Sequence, residues 1–405
     1  MPKPFADKMD DKRAEAFDKL NIPHDKRLIL TLDGGGMRGM LTIQLLKALE
    51  ETAGIPCYDL FDMVAGTSTG GIIAGLILYG RTAPQIEELY TQLVTQVFDH
   101  KLLGNRYINP PAFSKDKYRT LLQKEVHDVN LEQACALKNL DLMITSHDLS
   151  AAEETFFSCF LQPDGKYYGT YKGVLLRAVM EATMSAPTYF NPLERFVDGG
   201  STTYNNPALA AYMEAVSYSR ADKREALSDY QLNSICLFSF GTGISRQFLK
   251  PMEAMHPHGI DIVFWLNWVM TATGQDASAM QVDAFRSPMI RQAIDFRRFQ
   301  ISLDPEAMQL LPDTDGLNPH KYGSTRLHGL TEEVLGNIDM ADVTKMDLMQ
   351  VIGQQMAQYI GSPKGGAFTR DLAVDNRDLL VTTSGDIDRI KSQMADAAWL
   401  KEIKP

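Results

Sequence analysis

Hydrophobic and polar positions follow two different periods along this chain. Short apolar runs that end at glycine, aspartate or asparagine predict buried strands, and longer runs with apolar residues three or four positions apart predict helices. The predicted strands are Leu28–Leu32, Met63–Ala65, Leu140–Thr145, Thr155–Phe160, Arg195–Val197, Ser234–Phe240 and Ile301–Leu303. Helical runs separate most of these strands, which predicts an α/β fold with a mostly parallel central sheet and helices on both faces.

Helical periodicity continues beyond the last predicted strand. The predicted helices are Asp10–Leu20, a run after Gly39 that contains Leu41, Leu45, Leu46 and Leu49, Ile72–Tyr79, Pro84–Asp99, Ser114–Val126, Val174–Met184, Asn205–Tyr218, Ile262–Met270, Thr331–Ile338, Lys345–Ile360 and Asp386–Lys401. Pro305–Arg326 shows neither period and is predicted to be a loop. We therefore expect an N-terminal arm (residues 1–26), an α/β domain (27–304) and a mainly helical C-terminal region (305–405) packed on the core.

Two apolar segments could suggest a membrane protein. Met63–Gly80 is a run of 18 uncharged residues, but it contains a glycine-rich turn that a spanning helix would not tolerate. Ile262–Met270 is apolar around most of its circumference and too short to span a bilayer, so it either packs on the core or touches lipid through Trp265 and Trp268. We favour the packed helix and predict no transmembrane segment.

Composition and charge exclude some classes of function. Of the 405 residues, 44% are hydrophobic and 22% are charged, which is typical of a globular protein. The net charge of −11 disfavours nucleic acid as a partner, because phosphate binding needs a concentrated basic face. The four cysteines form no Cys-x-x-Cys pair, and the first 27 residues hold no apolar block typical of a secretory signal. We expect reduced thiols and a cytoplasmic location.

A serine stands at the junction of a predicted strand and a predicted helix. The strand Met63–Ala65 runs into Gly-Thr-Ser-Thr-Gly (Gly66–Gly70), and the helix Ile72–Tyr79 follows at once. Such a sharp turn lifts the hydroxyl of Ser68 clear of the sheet, as in hydrolases with a nucleophilic serine. Glycine and serine also cluster in ordinary loops, so the motif alone leaves that alternative open.

The segment Asp33–Gly39 fits two chemistries. Its Gly-x-Gly-x-x-Gly spacing after a strand is that of a dinucleotide-binding loop, and the same backbone amides could hold the oxyanion of an acyl-transfer intermediate. A nucleotide site also needs an acidic residue at the end of the second strand. Asp59 and Asp62 precede that strand, and Ser68 stands at its end. We favour an oxyanion loop, with a plain glycine turn as a third interpretation.

A third glycine-marked loop carries a carboxylate. Asp198-Gly199-Gly200 follows the short predicted strand Arg195–Val197. An aspartate at the end of a strand is well placed for catalysis, although such residues more often form Asx turns.

The three loops together resemble a known family. Their order and spacing are similar to those of the patatin-like phospholipases, lipid acyl hydrolases of plants and bacteria. The resemblance is strong from Leu28 to Gly243 and fainter for Phe264–Ser278 and Met346–Gln354. It includes three further motifs, which are Ser185-Ala186-Pro187-Thr188-Tyr189-Phe190, Asn205-Asn206-Pro207 and Ser239-Phe240-Gly241-Thr242-Gly243.

The resemblance implies a three-layer α/β/α fold and a specific set of site residues. Ser68 would be the nucleophile and Asp198 its only side-chain partner and general base. The oxyanion loop would consist of Gly34, Gly35, Gly36 and Arg38. Arg38 either lends positive charge or braces the loop through a salt bridge. No metal or cofactor is implied, and the substrate would be a lipid at a membrane surface.

The histidines do not fit a catalytic triad. None of the eight lies in the three loops; they are His24, His100, His127, His147, His256, His258, His320 and His328. A serine–aspartate dyad therefore follows. Because an unperturbed aspartate titrates near pH 3.9 and an unperturbed histidine near 6.5, we expect the rate to fall only at a pH below the histidine range.

The leading hypothesis is a phospholipase A-type lipid acyl hydrolase that cleaves fatty-acyl esters of phospholipids or galactolipids through a Ser68 acyl-enzyme. Three alternatives remain open: a bacterial effector phospholipase switched on by a second messenger, a serine esterase or peptidase with the same dyad, and a binding protein with a vestigial site. The sequence does not indicate the oligomeric state or the head-group preference.

Overall fold

The computed structural model describes residues 8–98, 111–161, 165–169, 171–218, 230–231, 233–245, 262–336, 338–370 and 378–379. Its helices are α1 (Asp11–Lys19), α2 (Gly39–Ala53), α3 (Cys57–Leu60), α4 (Thr69–Leu78), α5 (Ala83–Phe98), α6 (Asp116–Val126), α7 (Leu131–Lys138), α8 (Leu176–Thr183), α9 (Ala208–Tyr218), α10 (Ile262–Arg286), α11 (Pro288–Arg291), α12 (Pro305–Leu310), α13 (Pro319–Tyr322), α14 (Glu332–Gly336) and α15 (Met346–Gly361). The predicted helix Asp386–Lys401 lies outside the described residues.

The described strands form one mixed sheet. They are β1 (Arg27–Leu32), β2 (Met63–Gly66), β3 (Asp141–Asp148), β4 (Glu153–Leu161), β5 (Tyr167–Tyr168), β6 (Phe196–Asp198), β7 (Ile235–Phe240), β8 (Asp295–Ile301) and β9 (Asp378–Leu379). Their order is β5-β4-β3-β2-β1-β7-β8-β9, with β6 paired to β3. The six neighbouring strands β3-β2-β1-β7-β8-β9 are parallel to one another. Strands β4, β5 and β6 pair antiparallel with their neighbours. The predicted mostly parallel α/β fold is confirmed.

Alternate residues of β1 face opposite sides of the sheet, as a strand requires. Leu28, Leu30 and Leu32 pack in a large apolar cluster with residues of α2, α4, α5 and α8. Ile29 packs in a second cluster with residues of α9 and α10, including Phe285. Helices therefore cover both faces, and β1 is buried along nearly its whole length. All four cysteines are free and buried.

Strand β8 lies earlier than the sequence predicts. The predicted strand was Ile301–Leu303, whereas the structure has Asp295–Ile301. The charged residues Asp295, Arg297 and Arg298 interrupt the apolar pattern, yet all are buried. Arg297 forms an ion pair with Asp295 at 2.7 Å, so the charges are compensated within the core.

The prediction of a loop over Pro305–Arg326 is wrong in two places. Helices α12 and α13 each begin with proline at the first position, preceded by a capping residue. The Asp304 carboxylate accepts from the Ala307 amide at 2.8 Å, and the Asn318 side chain accepts from the His320 amide at 3.0 Å. These Asp-Pro and Asn-Pro pairs are helix-start signals that outweigh the lack of periodicity in such short helices.

The predicted apolar helix Ile262–Met270 forms the first turns of α10, which continues to Arg286. Val269 is exposed to solvent. The choice between packing and lipid contact for this segment stays a prediction. Across the described ranges, no helix is both long enough and apolar enough to cross a membrane.

Helix α1 packs on the core of the α/β domain. Ala16 and Phe17 are fully buried, and the Arg13 guanidinium forms an ion pair with Asp62 at 2.5 Å. The other oxygen of Asp62 accepts from the Leu28 amide at 2.8 Å. A buried ion pair thus joins the N-terminal segment to the starts of β1 and β2.

We expect Arg13→Met to lower the free energy of unfolding by about 3–5 kcal/mol, because it leaves the Asp62 carboxylate buried without its partner. Urea denaturation measures the change. Lys19→Met is the matched control: it breaks an exposed pair with Glu15 on the same helix and should change stability by less than about 0.5 kcal/mol. Equal effects of the two variants would contradict the role given to the buried pair.

Candidate active site

Ser68 stands at a strained turn between β2 and α4. Its backbone has φ 53° and ψ −123°, which a residue with a side chain rarely adopts. Gly66 and Gly70 permit this turn, because a Cβ on Gly66 would collide with the Gly70 carbonyl and a Cβ on Gly70 with the Leu32 carbonyl. The Ser68 amide donates to the Thr183 hydroxyl at 2.8 Å. The strand–turn–helix prediction for this motif is confirmed.

Asp198 lies beside Ser68 at the end of β6. This strand runs antiparallel to β3, with Asp198 opposite Ser146. The carboxylate accepts from the Gly200 amide at 2.7 Å, and the Ser68 hydroxyl lies close enough to lower its pKa. Asp198 therefore forms an Asx turn and lies beside Ser68 at the same time.

The environment of Asp198 raises its pKa to about 7, because burial outweighs the two hydrogen bonds from Ser68 and Gly200. The residue is only 3% exposed. This pKa argues against the expectation that the rate falls only below the histidine range, because burial opposes ionisation of the carboxylate and no cation among the described residues counteracts it. The expectation itself stays a prediction for a pH–rate profile.

The glycine loop after β1 has most of its backbone groups occupied. The Gly34 amide donates to the Asn205 carbonyl at 3.1 Å, and the Met37 amide donates to the Met340 carbonyl at 2.7 Å. Among the described residues, the amides of Gly35 and Gly36 have no acceptor. Of the three glycine amides that the resemblance nominates, two are therefore free to bind an oxyanion.

The carbonyls of the loop determine where these free amides point. The Gly34 carbonyl accepts from the Thr242 hydroxyl at 2.9 Å, and the Gly35 carbonyl accepts from the Arg38 amide at 3.2 Å. In a trans peptide the N–H points opposite to the C=O of the preceding residue. The amides of Gly35 and Gly36 are thus held in fixed directions before any ligand binds, which is the property an oxyanion hole requires.

Arg38 is half-buried and lines the cavity beside Ser68. Its Nε donates to the Gly35 carbonyl at 3.4 Å. Burial lowers the pKa of Arg38, and the nearby Asp339 carboxylate opposes this change. These contacts favour the bracing role over the role of a free positive charge.

Sequence reasoning missed the partner of Asp33, the residue just before the glycine loop. Arg298 of β8 binds both oxygens of the Asp33 carboxylate, at 2.9 and 2.5 Å, and donates to the Ser239 hydroxyl at 2.7 Å. All three side chains are buried. This bidentate ion pair connects the start of the glycine loop to β8, which is separated from β1 by β7. The sequence signal that could have indicated a partner is the position of Asp33 directly before the glycines.

Two cavities meet at Ser68. The larger, about 160 Å³, has the more polar wall of the two, with side chains that include Arg38, Asp198, Asn205, Thr242, Gln275 and Gln300. The smaller, about 40 Å³, has a mainly apolar wall that includes Ile72, Leu93, Val94, Val97, Phe98 and Phe190. The nucleophile candidate thus faces both a polar and an apolar compartment.

The described histidines lie elsewhere. Five of the eight are in the described part of the chain, and none of these lines either cavity: His24, His127, His147, His320 and His328. Within the same residues, no group of three or more His, Cys, Asp or Glu side chains is arranged to hold a metal ion.

Comparison with known proteins finds the predicted family over part of the chain. Residues 30–212 match the family model of patatin-like phospholipases. An 85/88 kDa calcium-independent phospholipase A2 of Rattus norvegicus is 30% identical over 250 residues, covering 58% of this chain and 30% of the relative. A cUMP-AMP-activated phospholipase of Escherichia coli is 30% identical over 209 residues, covering 49% of this chain and 61% of the relative. The family predicted from the three loops is confirmed, and the chain spans less than two thirds of either relative.

Among solved structures, a human GIVD cytosolic phospholipase A2 in complex with methyl gamma-linolenyl fluorophosphonate is a distant neighbour. It is 14% identical, with 88% of this chain and 62% of that chain covered and a TM-score of 0.38.

The pKa of Asp198 predicts the pH dependence of ester hydrolysis. If Asp198 is the base, it must be ionised, so kcat/KM for a soluble, non-titrating ester should be constant above about pH 7 and fall as the pH decreases through that value. The measurement is a pH–rate profile with folding checked at each point. Replacing each described histidine in turn should leave this acid limb in place, and a limb that moves with one histidine would identify a triad instead.

Gly36 predicts the effect of adding one methyl group to the loop. It has φ +57°, and a Cβ there would collide with the Met340 carbonyl. We expect Gly36→Ala to lower kcat by a factor of about 10²–10³, the usual effect of losing one oxyanion-hole donor. The matched control is Gly361→Ala at the end of α15, where a Cβ meets nothing within 4 Å. Full activity of Gly36→Ala would exclude this loop from the reaction.

Proposed function

We propose, taking as a premise that residues 30–212 belong to the patatin-like phospholipase family, that this chain is a lipid acyl hydrolase. It would cleave fatty-acyl ester bonds of phospholipids or galactolipids through a covalent acyl-enzyme on Ser68. The observation that carries this proposal is that Ser68, on its strained turn, and the buried Asp198 line one cavity, at the point where Ser68 also lines a second, apolar cavity.

In the first half of the reaction, Ser68 Oγ attacks the ester carbonyl carbon while its proton passes to the Asp198 carboxylate. The negative charge that develops on the carbonyl oxygen is stabilised by the amides of Gly35 and Gly36 and by the N-terminus of α4. The bond to the alcohol then breaks, and Asp198 gives its proton to the departing alcohol oxygen. The products of this half are the acyl-enzyme and a lysolipid.

In the second half, water attacks the acyl-enzyme and its proton passes to Asp198. The bond to Ser68 Oγ breaks, Ser68 regains a proton from Asp198, and the fatty acid leaves. The same carboxylate acts as base and acid in both halves, so no imidazole is needed.

The raised pKa of Asp198 supports this role. A general base works best when its pKa lies near the working pH, and an ordinary aspartate near 3.9 would be a weak acceptor for a serine proton. Burial brings the pKa of Asp198 to about 7. The dyad thus gains basicity of the kind that a histidine supplies in a triad.

The apolar cavity favours a lipid substrate over a peptide. The dyad alone would also serve a serine esterase or peptidase, but its neighbouring compartment is walled by aliphatic and aromatic side chains that suit a hydrocarbon chain. Control by a second messenger, as the printed name of the Escherichia coli relative says of that protein, stays a prediction for this chain.

Ser68→Ala should abolish release of fatty acid from mixed phospholipids and galactolipids, measured by mass spectrometry of the products. A fluorophosphonate probe should label the wild type and not this variant. Ser150→Ala, at an exposed turn, is the matched control and should retain both activities. Labelling at another serine, or hydrolysis of casein in preference to lipid, would contradict the proposal.

A further inference from the structure

Four residues line both cavities and lie at the boundary between them, which we call the neck: Ser68, Ala186, Tyr189 and Met340. The first three belong to segments within the family match, residues 30–212. Met340 comes from the C-terminal region and lies outside that match. The connection between the two compartments is therefore completed by a part of the chain that the family pattern does not include.

The apolar compartment is the natural place for the acyl chain of an ester at Ser68. Leu93, Val94 and Val97 of α5 line its wall and are almost completely buried, as is Ile72 of α4 in the same wall. Transfer of a hydrocarbon chain from water to such a wall lowers its free energy. The alcohol half of the substrate then faces the polar compartment.

The apolar compartment is small. Its volume of about 40 Å³ is about a quarter of the 160 Å³ of the neighbouring compartment. We therefore expect a long fatty-acyl chain to enter only if the wall or the neck moves.

Met340 is the member of the neck best able to move. The Tyr189 hydroxyl donates to the Asp339 carboxylate at 3.4 Å, and its ring stacks on Phe113 with an interplanar angle of 7°. The Met340 side chain is 37% exposed, unbranched and rotatable about three bonds. Its main chain is held, because the Met340 carbonyl accepts from the Met37 amide at 2.7 Å. The side chain can therefore swing while the backbone continues to support the oxyanion loop.

We propose that Met340 is a specificity-determining residue that sets the length of the acyl chain accepted at Ser68. The proposal rests on the proposed function and names the acyl side of the same site. A smaller side chain at position 340 opens the neck to longer chains, and a larger, stiffer one closes it.

The test compares nitrophenyl butyrate with nitrophenyl decanoate. The ratio of kcat/KM for decanoate to that for butyrate should rise about tenfold in Met340→Ala and fall in Met340→Phe, which is within the range that single methylene groups produce in apolar pockets. Met289→Ala is the matched control: Met289 is 81% exposed and lines neither cavity, so the ratio should stay at the wild-type value. A general loss of folding lowers both rates together and leaves their ratio unchanged. Opposite shifts of the ratio in Met340→Ala and Met340→Phe would therefore show that the size of residue 340 controls chain length.

The result that overturns the inference is a wild-type ratio in both Met340 variants while Ser68→Ala still abolishes butyrate hydrolysis. That outcome leaves the proposed function intact. Butyrate hydrolysis that persists in Ser68→Ala is a different failure, because it removes the nucleophile and with it the basis of the inference.

Discussion

The strained backbone at Ser68 is the constraint on which the rest of the site depends. A residue with a side chain held at φ 53° and ψ −123° costs on the order of 1–3 kcal/mol, and the surrounding structure must compensate. Helix α4 does so by burying all ten of its residues, and Thr183 does so by accepting the Ser68 amide at 2.8 Å. The close approach of Gly66, Gly70 and the end of β1 leaves room for no other side chains.

The same dense packing determines the chemistry of Asp198. The carboxylate is buried beside Ser68, and among the described residues no cation opposes the effect of burial, so its ionised form is unfavourable and its pKa rises to about 7. Burial of the Asp198 carboxylate lowers the stability of the folded protein at neutral pH but raises the basicity of this residue. Such a trade-off is common at functional sites. Burial also raises the pKa of Asp33, but there the paired Arg298 guanidinium opposes the change.

The site is assembled from more of the chain than the family match covers. Thr242 after β7 orients a peptide of the glycine loop, and the buried Arg298 of β8 fixes the aspartate before it. The Asp339–Met340 segment contacts the loop from the C-terminal region: its main chain accepts from Met37, and Asp339 lies near Arg38. Divergence in these later segments would therefore change the reaction while the three motifs remain intact.

The sequence by itself determined the parts of the site whose requirements are local. A sharp turn needs glycine on both sides of Ser68, and an amide-rich loop needs consecutive glycines, so both are written in adjacent residues. Strand β8 was misplaced because Arg297 and Arg298 have the composition of a surface strand, and only distant aspartates show that they are buried. The tertiary structure likewise decided three other features: the pKa of Asp198, the occupied amide of Gly34 and the position of Met340. Each depends on contacts between residues that are far apart in the chain.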